Sequence, residues 1–142
     1  MLKNYKLEMA YLAGLFDGEG CITIRRNSSK GKQLALDCAL GMTNQYVPNL
    51  FQFHFQGSVS FCKGRKENHN NSWLWQISAR KALAFLEEIL PYLRLKRAEA
   101  ELAIAFQKRL KWQGGVPVTD AEWAYREAQK VLLHSLKTKK GV

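Results

Sequence analysis

Two glycines, Gly14 and Gly18, stand four residues apart in a run that is otherwise helical, and they restrict the fold more than any other feature of the chain. Leu7, Tyr11, Gly14, Leu15 and Gly18 recur at helical spacing, which predicts a helix from about Leu7 to Asp17, with Gly18 and Gly20 able to end it. A glycine inside a helix costs about 1 kcal/mol relative to alanine, so such a pair needs a compensating gain. Close approach of a second helix backbone is the usual gain, and small residues four apart permit it. The helix then ends on two acids, Asp17 and Glu19. Each carboxylate at the negative end of a helix dipole costs roughly 0.3–1 kcal/mol unless a cation offsets it. A divalent metal held between two such helices is one resolution. An ordinary Asp-Gly turn followed by a solvated Glu19 is the other, and the residues alone leave both open.

The next segments change period. Cys21 to Arg26 alternates, with Ile22 and Ile24 on one side and Thr23 and Arg25 on the other. After a turn at 27–31, Gln33 to Met42 alternates again. There Leu34, Leu36, Cys38, Leu40 and Met42 face one way, and Gln33, Ala35, Asp37, Ala39 and Gly41 the other, as in a half-buried strand. Pro48 can open a short helix that stops before Gly57. Ser58 to Cys62 reads as a third strand with Val59 and Phe61 inward. Ser72 to Ser78 reads as a fourth, with Trp73, Trp75 and Ile77 on one face. Large aromatics mostly fill interiors, so the two tryptophans are assigned to the core. Ala79 to Leu90 is a helix broken at Pro91, and a longer helix follows to about Trp112. Thr119-Asp120-Ala121-Glu122 has the capping-box pattern and starts a last helix to about Leu136. The order is αββαββα with C-terminal helices added: an α+β plan, one antiparallel sheet with helices packed on one face.

A chain of 142 residues has the length of one domain, and 46% apolar residues suffice for a core. The expected division is one domain over 1–142, with a core of about 7–110 and a helical extension of about 116–138. No apolar run approaches the roughly 20 residues of a membrane span, and the first residues do not look like a secretory leader. The expected location is the cytoplasm or nucleoid, or the organelle where the chain is encoded, without secretion. Cys21, Cys38 and Cys62 are odd in number and lack C-x-x-C spacing, so they are read as reduced, mostly buried thiols with no zinc.

The formal net charge is +10, which favours a polyanionic partner, by default nucleic acid. The charge is uneven: Arg25, Arg26, Lys30, Lys32, Lys63, Arg65 and Lys66 lie between Cys21 and Trp75, against only Asp37 and Glu67. The strand face opposite the apolar one carries Thr23, Arg25, Asn27, Gln33, Asp37, Ser58, Ser60 and Gln76. Such side chains touch phosphates or read base edges, and a twisted sheet fits a major groove. A merely solvated face would look as polar; the basic bias tips the reading to DNA. The candidate DNA-binding set is therefore Thr23, Arg25, Asn27, Lys30, Lys32, Gln33, Asp37, Ser58, Ser60, Lys63, Arg65, Lys66 and Gln76.

Leu12-Ala13-Gly14-Leu15-Phe16-Asp17-Gly18-Glu19-Gly20 closely resembles the nine-residue signature of the LAGLIDADG homing endonucleases. Phe16 stands for isoleucine, Gly18 for alanine and Glu19 for the second aspartate. The resemblance extends from about Leu7 to Leu110 and implies the family's fold, an antiparallel β-saddle under helices. It implies that Glu19 is the catalytic metal-binding acid, with Gly18 beside the metal. Asp17 would brace the helix end. Gly14, Gly18, Leu12 and Leu15 would form the dimer interface. Lys96, in Tyr92-Leu93-Arg94-Leu95-Lys96, would be the active-site lysine, and Asn44 a polar group near the metal-bound water. Mg²⁺ is the implied ion, with Mn²⁺ or Ca²⁺ able to replace it for binding.

One motif per chain makes half a site. The function implied is thus a homodimer that cuts double-stranded DNA at a long, near-palindromic site, as in intron homing. One departure stands against this. The family's basic residue in the second helix falls at Pro48, which leaves room for a catalytically impaired DNA-binding regulator or an RNA maturase. A third reading is a basic structural or RNA-binding protein with a chance motif. His54, His69 and His134 form no spaced metal or base pair, and His69-Asn70-Asn71 resembles HNH nucleases only superficially.

Overall fold

Four alternating segments pair into one antiparallel sheet, and the register puts every residue of the apolar sets on the same side. The computed structural model describes residues 2–26, 33–64, 70–110 and 117–138. The elements are α1 (Leu2–Glu19), β1 (Gly20–Arg26), β2 (Leu34–Met42), α2 (Tyr46–Phe55), β3 (Ser58–Cys62), β4 (Ser72–Ser78), α3 (Ala79–Ile89), a 3₁₀ turn (Leu90–Tyr92), α4 (Arg97–Arg109) and α5 (Asp120–Thr138). The strands lie in the order β1-β2-β4-β3. Ile22 pairs with Cys38, which pairs with Ile77; Leu40 pairs with Trp75, which pairs with Val59. This is the αββαββα order with helices following it.

The apolar face is covered by α1, α2, α3 and α4, and Ile22, Leu36, Cys38 and Trp75 are fully buried under Leu12, Phe16, Phe51, Phe85 and Ala100. Aromatic rings fill the centre: Phe85 meets Phe16 at 5.0 Å, Trp75 at 5.0 Å and Phe55 at 4.7 Å, near the edge-to-face arrangement that ring quadrupoles favour. Leu133 of α5 joins the same core, and α5 runs beside the edge strand β1, where Arg26 bonds Glu127 at 2.8 Å.

The structure departs from the expected elements in several places. Phe61 points to the apolar side but is 52% exposed, resting against Trp73 at 5.1 Å, because the helices do not reach the end of β3. Only Cys38 of the three cysteines is buried; Cys21 opens onto the other face and Cys62 is intermediate. The long helix expected after Pro91 does not start until Arg97, since the backbone N–H groups of residues 94–96 are bonded elsewhere, as described below. The first helix is longer than its periodic part and begins at Leu2. The capping box is half-made: Glu122 N–H donates to Thr119 Oγ1 at 3.1 Å, while the Glu122 carboxylate turns to Arg109 and Arg126.

The turn between α2 and β3 is strained. Gln56 has φ 67 and ψ −154, a region that belongs to glycine, and Gly57 follows at φ 93. A Cβ on Gly57 would stand 2.6 Å from the Gln76 carbonyl oxygen, so this position needs glycine for both reasons.

Candidate active site and nucleic-acid face

α1 buries one face and leaves the other open. Met9, Leu12, Ala13 and Phe16 are fully buried against the sheet and α3, while Leu7, Tyr11, Gly14 and Gly18 form a stripe open to solvent on the opposite side. Nothing lies within 4 Å of where a Cβ on Gly14 or Gly18 would stand. Neither glycine is thus required by the packing of its own chain. Leu12 is a correction to the expected interface: it faces inward and cannot meet another molecule while the fold is intact. Leu15 is partly buried against the core and only flanks the stripe. Leu7 and Tyr11, 61% and 51% exposed, are the large side chains of the open stripe instead. Their signal, the 7-11-14-18 spacing, was present in the sequence. A groove runs along the stripe beside Ala10 and Gly14, with Arg94 and Arg97 on its far wall.

Asp17 ends α1 as a brace. Its carboxylate accepts the N–H groups of Arg94 (2.8 Å), Leu95 (3.2 Å) and Lys96 (3.0 Å), the donors that a helix continuing from Pro91 would have used internally. Lys96 Nζ donates to the Asp17 carbonyl at 2.9 Å, placing an ammonium at the negative end of the helix. Lys96 is thereby held at the end of α1, on the residue two positions before Glu19 in the chain. Asn44 is not free to act with both its groups. Its Oδ1 accepts the Tyr46 N–H at 2.8 Å, in the turn that leads into α2, which leaves the exposed amide nitrogen. Pro48 is buried in the first turn of α2, where a missing N–H is tolerated.

Glu19 is exposed at the junction of α1 and β1. Asp17 is occupied by three donors, so Glu19 is the one side-chain carboxylate of this segment left for a cation. Among the described residues no three His, Cys, Asp or Glu side chains gather into a metal-holding group. A single chain supplies one free carboxylate at this point, which suits Mg²⁺ only if backbone carbonyl oxygen, water, a phosphate or a second carboxylate completes the shell. Gly20 follows, and its lack of a side chain is required: a Cβ there would stand 2.2 Å from the Phe16 ring.

The open face of the sheet carries Thr23, Arg25, Ser58, Ser60 and Gln76, all with side chains at least partly accessible; Gln33 is exposed just before β2 and Lys63 just past β3. Asp37 is a correction. It is 3% exposed, ion-paired with Arg25 and hydrogen-bonded by the Ser78 hydroxyl, so it neutralises Arg25 from below instead of touching a partner. The register explains this, since Ser78 lies directly across from Asp37, and Arg25 reaches it diagonally past the Ala35 position. Asn27, Lys30, Lys32, Arg65 and Lys66 lie outside the described residues. Helix α5 contributes a group that sequence reasoning missed: Lys137 Nζ reaches Cys21 Sγ at 3.5 Å, two residues beyond Glu19. No local pattern announces it, because 116 positions separate the two. His54 lies 3.9 Å from Glu8, and His69 lies outside the described residues. No helix among the described residues is long and apolar enough to cross a membrane.

Residues 12–112 match the family model described as LAGLIDADG endonuclease. The DNA endonuclease I-CvuI of Chlorella vulgaris is 29% identical over 107 residues, a match spanning 74% of this chain and 66%, just under two thirds, of that protein. Its crystal structure with a DNA target and Ca²⁺ superposes with a TM-score of 0.75 at 24% identity, covering 94% of this chain and 83% of that one. An archaeal intron-encoded homing endonuclease, I-Vdi141I, bound to DNA, superposes with a TM-score of 0.60 at 11% identity over 94% of this chain and 98% of that one. These likenesses establish the fold.

Proposed function

This chain belongs to the LAGLIDADG endonuclease family, and from that premise we propose that it is a site-specific DNA endonuclease acting as a homodimer with a divalent metal. One observation carries the reading: the open stripe of α1 leads directly into Glu19. Two copies meeting through Leu7, Tyr11, Gly14 and Gly18 would bring both Glu19 carboxylates to the two-fold axis. An isologous contact of this kind implies a nearly palindromic target. The whole chain, 1–142, would act as one unit, with α5 joined to the core.

The metal, when bound, supplies an activated water and stabilises the leaving oxygen of the scissile phosphodiester. Glu19 and the Gly18 carbonyl are the groups of this chain that would hold it, and Mg²⁺ fits their hard oxygens, with Mn²⁺ or Ca²⁺ as substitutes for binding. Asp17 fixes the end of α1 so that Glu19 is presented at a constant position. Lys96, held at the Asp17 carbonyl, offsets the negative helix end and the charge developing on phosphate. Asn44 offers its amide nitrogen to a water. The open sheet face lies along the major groove, and the net charge of +10 supplies the salt-sensitive attraction to the backbone. The relatives support this by what their names state: I-CvuI is a DNA endonuclease and was crystallised with its target.

Glu19→Gln tests it. Cutting of a matched duplex in Mg²⁺ should disappear while DNA binding remains, and normal cutting by the variant would remove Glu19 from the site. A second reading is a scaffold that binds nucleic acid without cutting, as a regulator or RNA maturase. The observation that favours it is Pro48, a residue with no donor where the family pattern has a basic side chain. Metal-dependent nicking by the wild type rules it out.

A further inference from the structure

The polar groups of the open sheet face are not equivalent, and sorting them by their existing commitments singles out Gln76. Arg25, Asp37 and Ser78 are bound to one another. Ser58 and Ser60 are exposed but short, and Thr23 is half-buried. Gln33 precedes β2 and lies outside the ladder. Gln76 is exposed near the middle of β4, and its side chain makes no hydrogen bond or ion pair with the described residues. Its partners across the ladder are Ala39 on one side and Ser58 on the other, both small, so its amide stands above the face.

The backbone beneath Gln76 is held from several directions. Its neighbours Trp75 and Ile77 are buried on the opposite face. The Trp75 indole N–H donates to the Gln56 carbonyl at 2.8 Å, within the turn where Gln56 takes its strained conformation. Gly57 packs so closely on the Gln76 carbonyl that any side chain there would collide with it. Backbone strain of this kind persists only where its surroundings over-determine it, and it is found at positions that must be held still. A reading side chain on a fixed strand gives up less freedom on binding than one on a loop.

We propose that Gln76 reads an adenine in each half-site. A carboxamide presents one acceptor and one donor side by side, which matches the N6 donor and N7 acceptor of adenine in the major groove; guanine offers two acceptors there and cannot be matched in the same way. The proposal rests on the DNA-cutting reading above and adds to it the base that this position selects.

The test is cleavage of a duplex library randomised across the target, in Mg²⁺, by the wild type, Gln76→Ala and Gln76→Arg, with the cut ends sequenced. The wild type should favour adenine at one position of each half-site by roughly 5- to 150-fold. In Gln76→Ala that preference should vanish while the other positions keep theirs, and in Gln76→Arg it should move to guanine, which arginine matches with two donors. Gln76 is exposed, so unchanged melting temperatures should accompany both variants. If both variants keep the wild-type base profile, the proposal is overturned and the endonuclease reading stands. If the wild type cuts no duplex, the endonuclease reading fails and takes the proposal with it.

Discussion

Asp17 and Lys96 hold each other reciprocally: the Lys96 N–H donates to the Asp17 carboxylate at 3.0 Å, and Lys96 Nζ donates to the Asp17 carbonyl at 2.9 Å. The pair joins the end of α1 to the start of α4, which lie far apart in sequence. Asp17→Ala would orphan three N–H groups at once. Each buried orphan costs about 1–3 kcal/mol, and since this segment is partly open to water a total of roughly 3–5 kcal/mol is expected from urea unfolding. Lys96→Met keeps its N–H bond and should lose only about 1 kcal/mol. Equal losses in the two variants would refute the brace.

The glycines of the motif separate by what they face. Gly20→Ala collides with the Phe16 ring and should destabilise the fold by roughly 1–3 kcal/mol. Gly14→Ala and Gly18→Ala meet nothing in their own chain, and alanine is the better helix former, so folding of the isolated chain should be unharmed or improved by up to about 1 kcal/mol. Their effect should fall on self-association, read by sedimentation. Undiminished association in both would remove the α1 stripe from the interface.

The cysteines should react in an order set by burial. Burial raises the Cys38 thiol well above its ordinary pKa, with Asp37 and Cys21 adding to the rise, so it stays protonated and shielded in the folded chain. Cys21 is exposed. Brief alkylation followed by peptide mass spectrometry should find Cys21 modified and Cys38 untouched until denaturant is added. Native labelling of Cys38 would show that the sheet opens more readily than its packing suggests.

Helix α5 is held to α4 by an acid-sensitive junction. The Glu122 carboxyl is held below its ordinary value, first by the hydrogen bond from Arg109 and further by that from Arg126. A depressed folded pKa means the contribution is complete above the unfolded value of about 4.3 and is lost as pH falls through the folded one. Stability should therefore fall below about pH 4 in the wild type, and Glu122→Gln should flatten that part of the curve. High salt should shrink the part of the difference due to Arg109, whose guanidinium is exposed, more than the part due to the buried Arg126.

Much of this molecule was legible in order and type. Strands Ser58–Cys62 and Ser72–Ser78 follow from alternation and turn residues alone, because a period of two has one structural meaning. The motif was readable because its glycines and acids violate helix preference without local benefit. The break before Arg97 was not readable: Leu93 to Lys96 has no strong breaker, and what stops the helix is Asp17 taking its donors. Leu12 and Asp37 were misassigned for a related reason. A periodic pattern says which residues share a face, yet it does not say which face the rest of the chain will cover.

From its residues alone, then, the chain settles its element order, its sheet pattern and the acid that ends its first helix, because period, glycine placement and charge act over a few neighbours. Which side of α1 stays open, that Asp37 neutralises Arg25, that Lys96 anchors Asp17 and that Gln76 stands unopposed over a fixed strand are decided only by the assembled structure. Each depends on groups between 12 and 79 positions apart or on strands brought together by the ladder, and no local rule reports which distant donor or cover a side chain will meet.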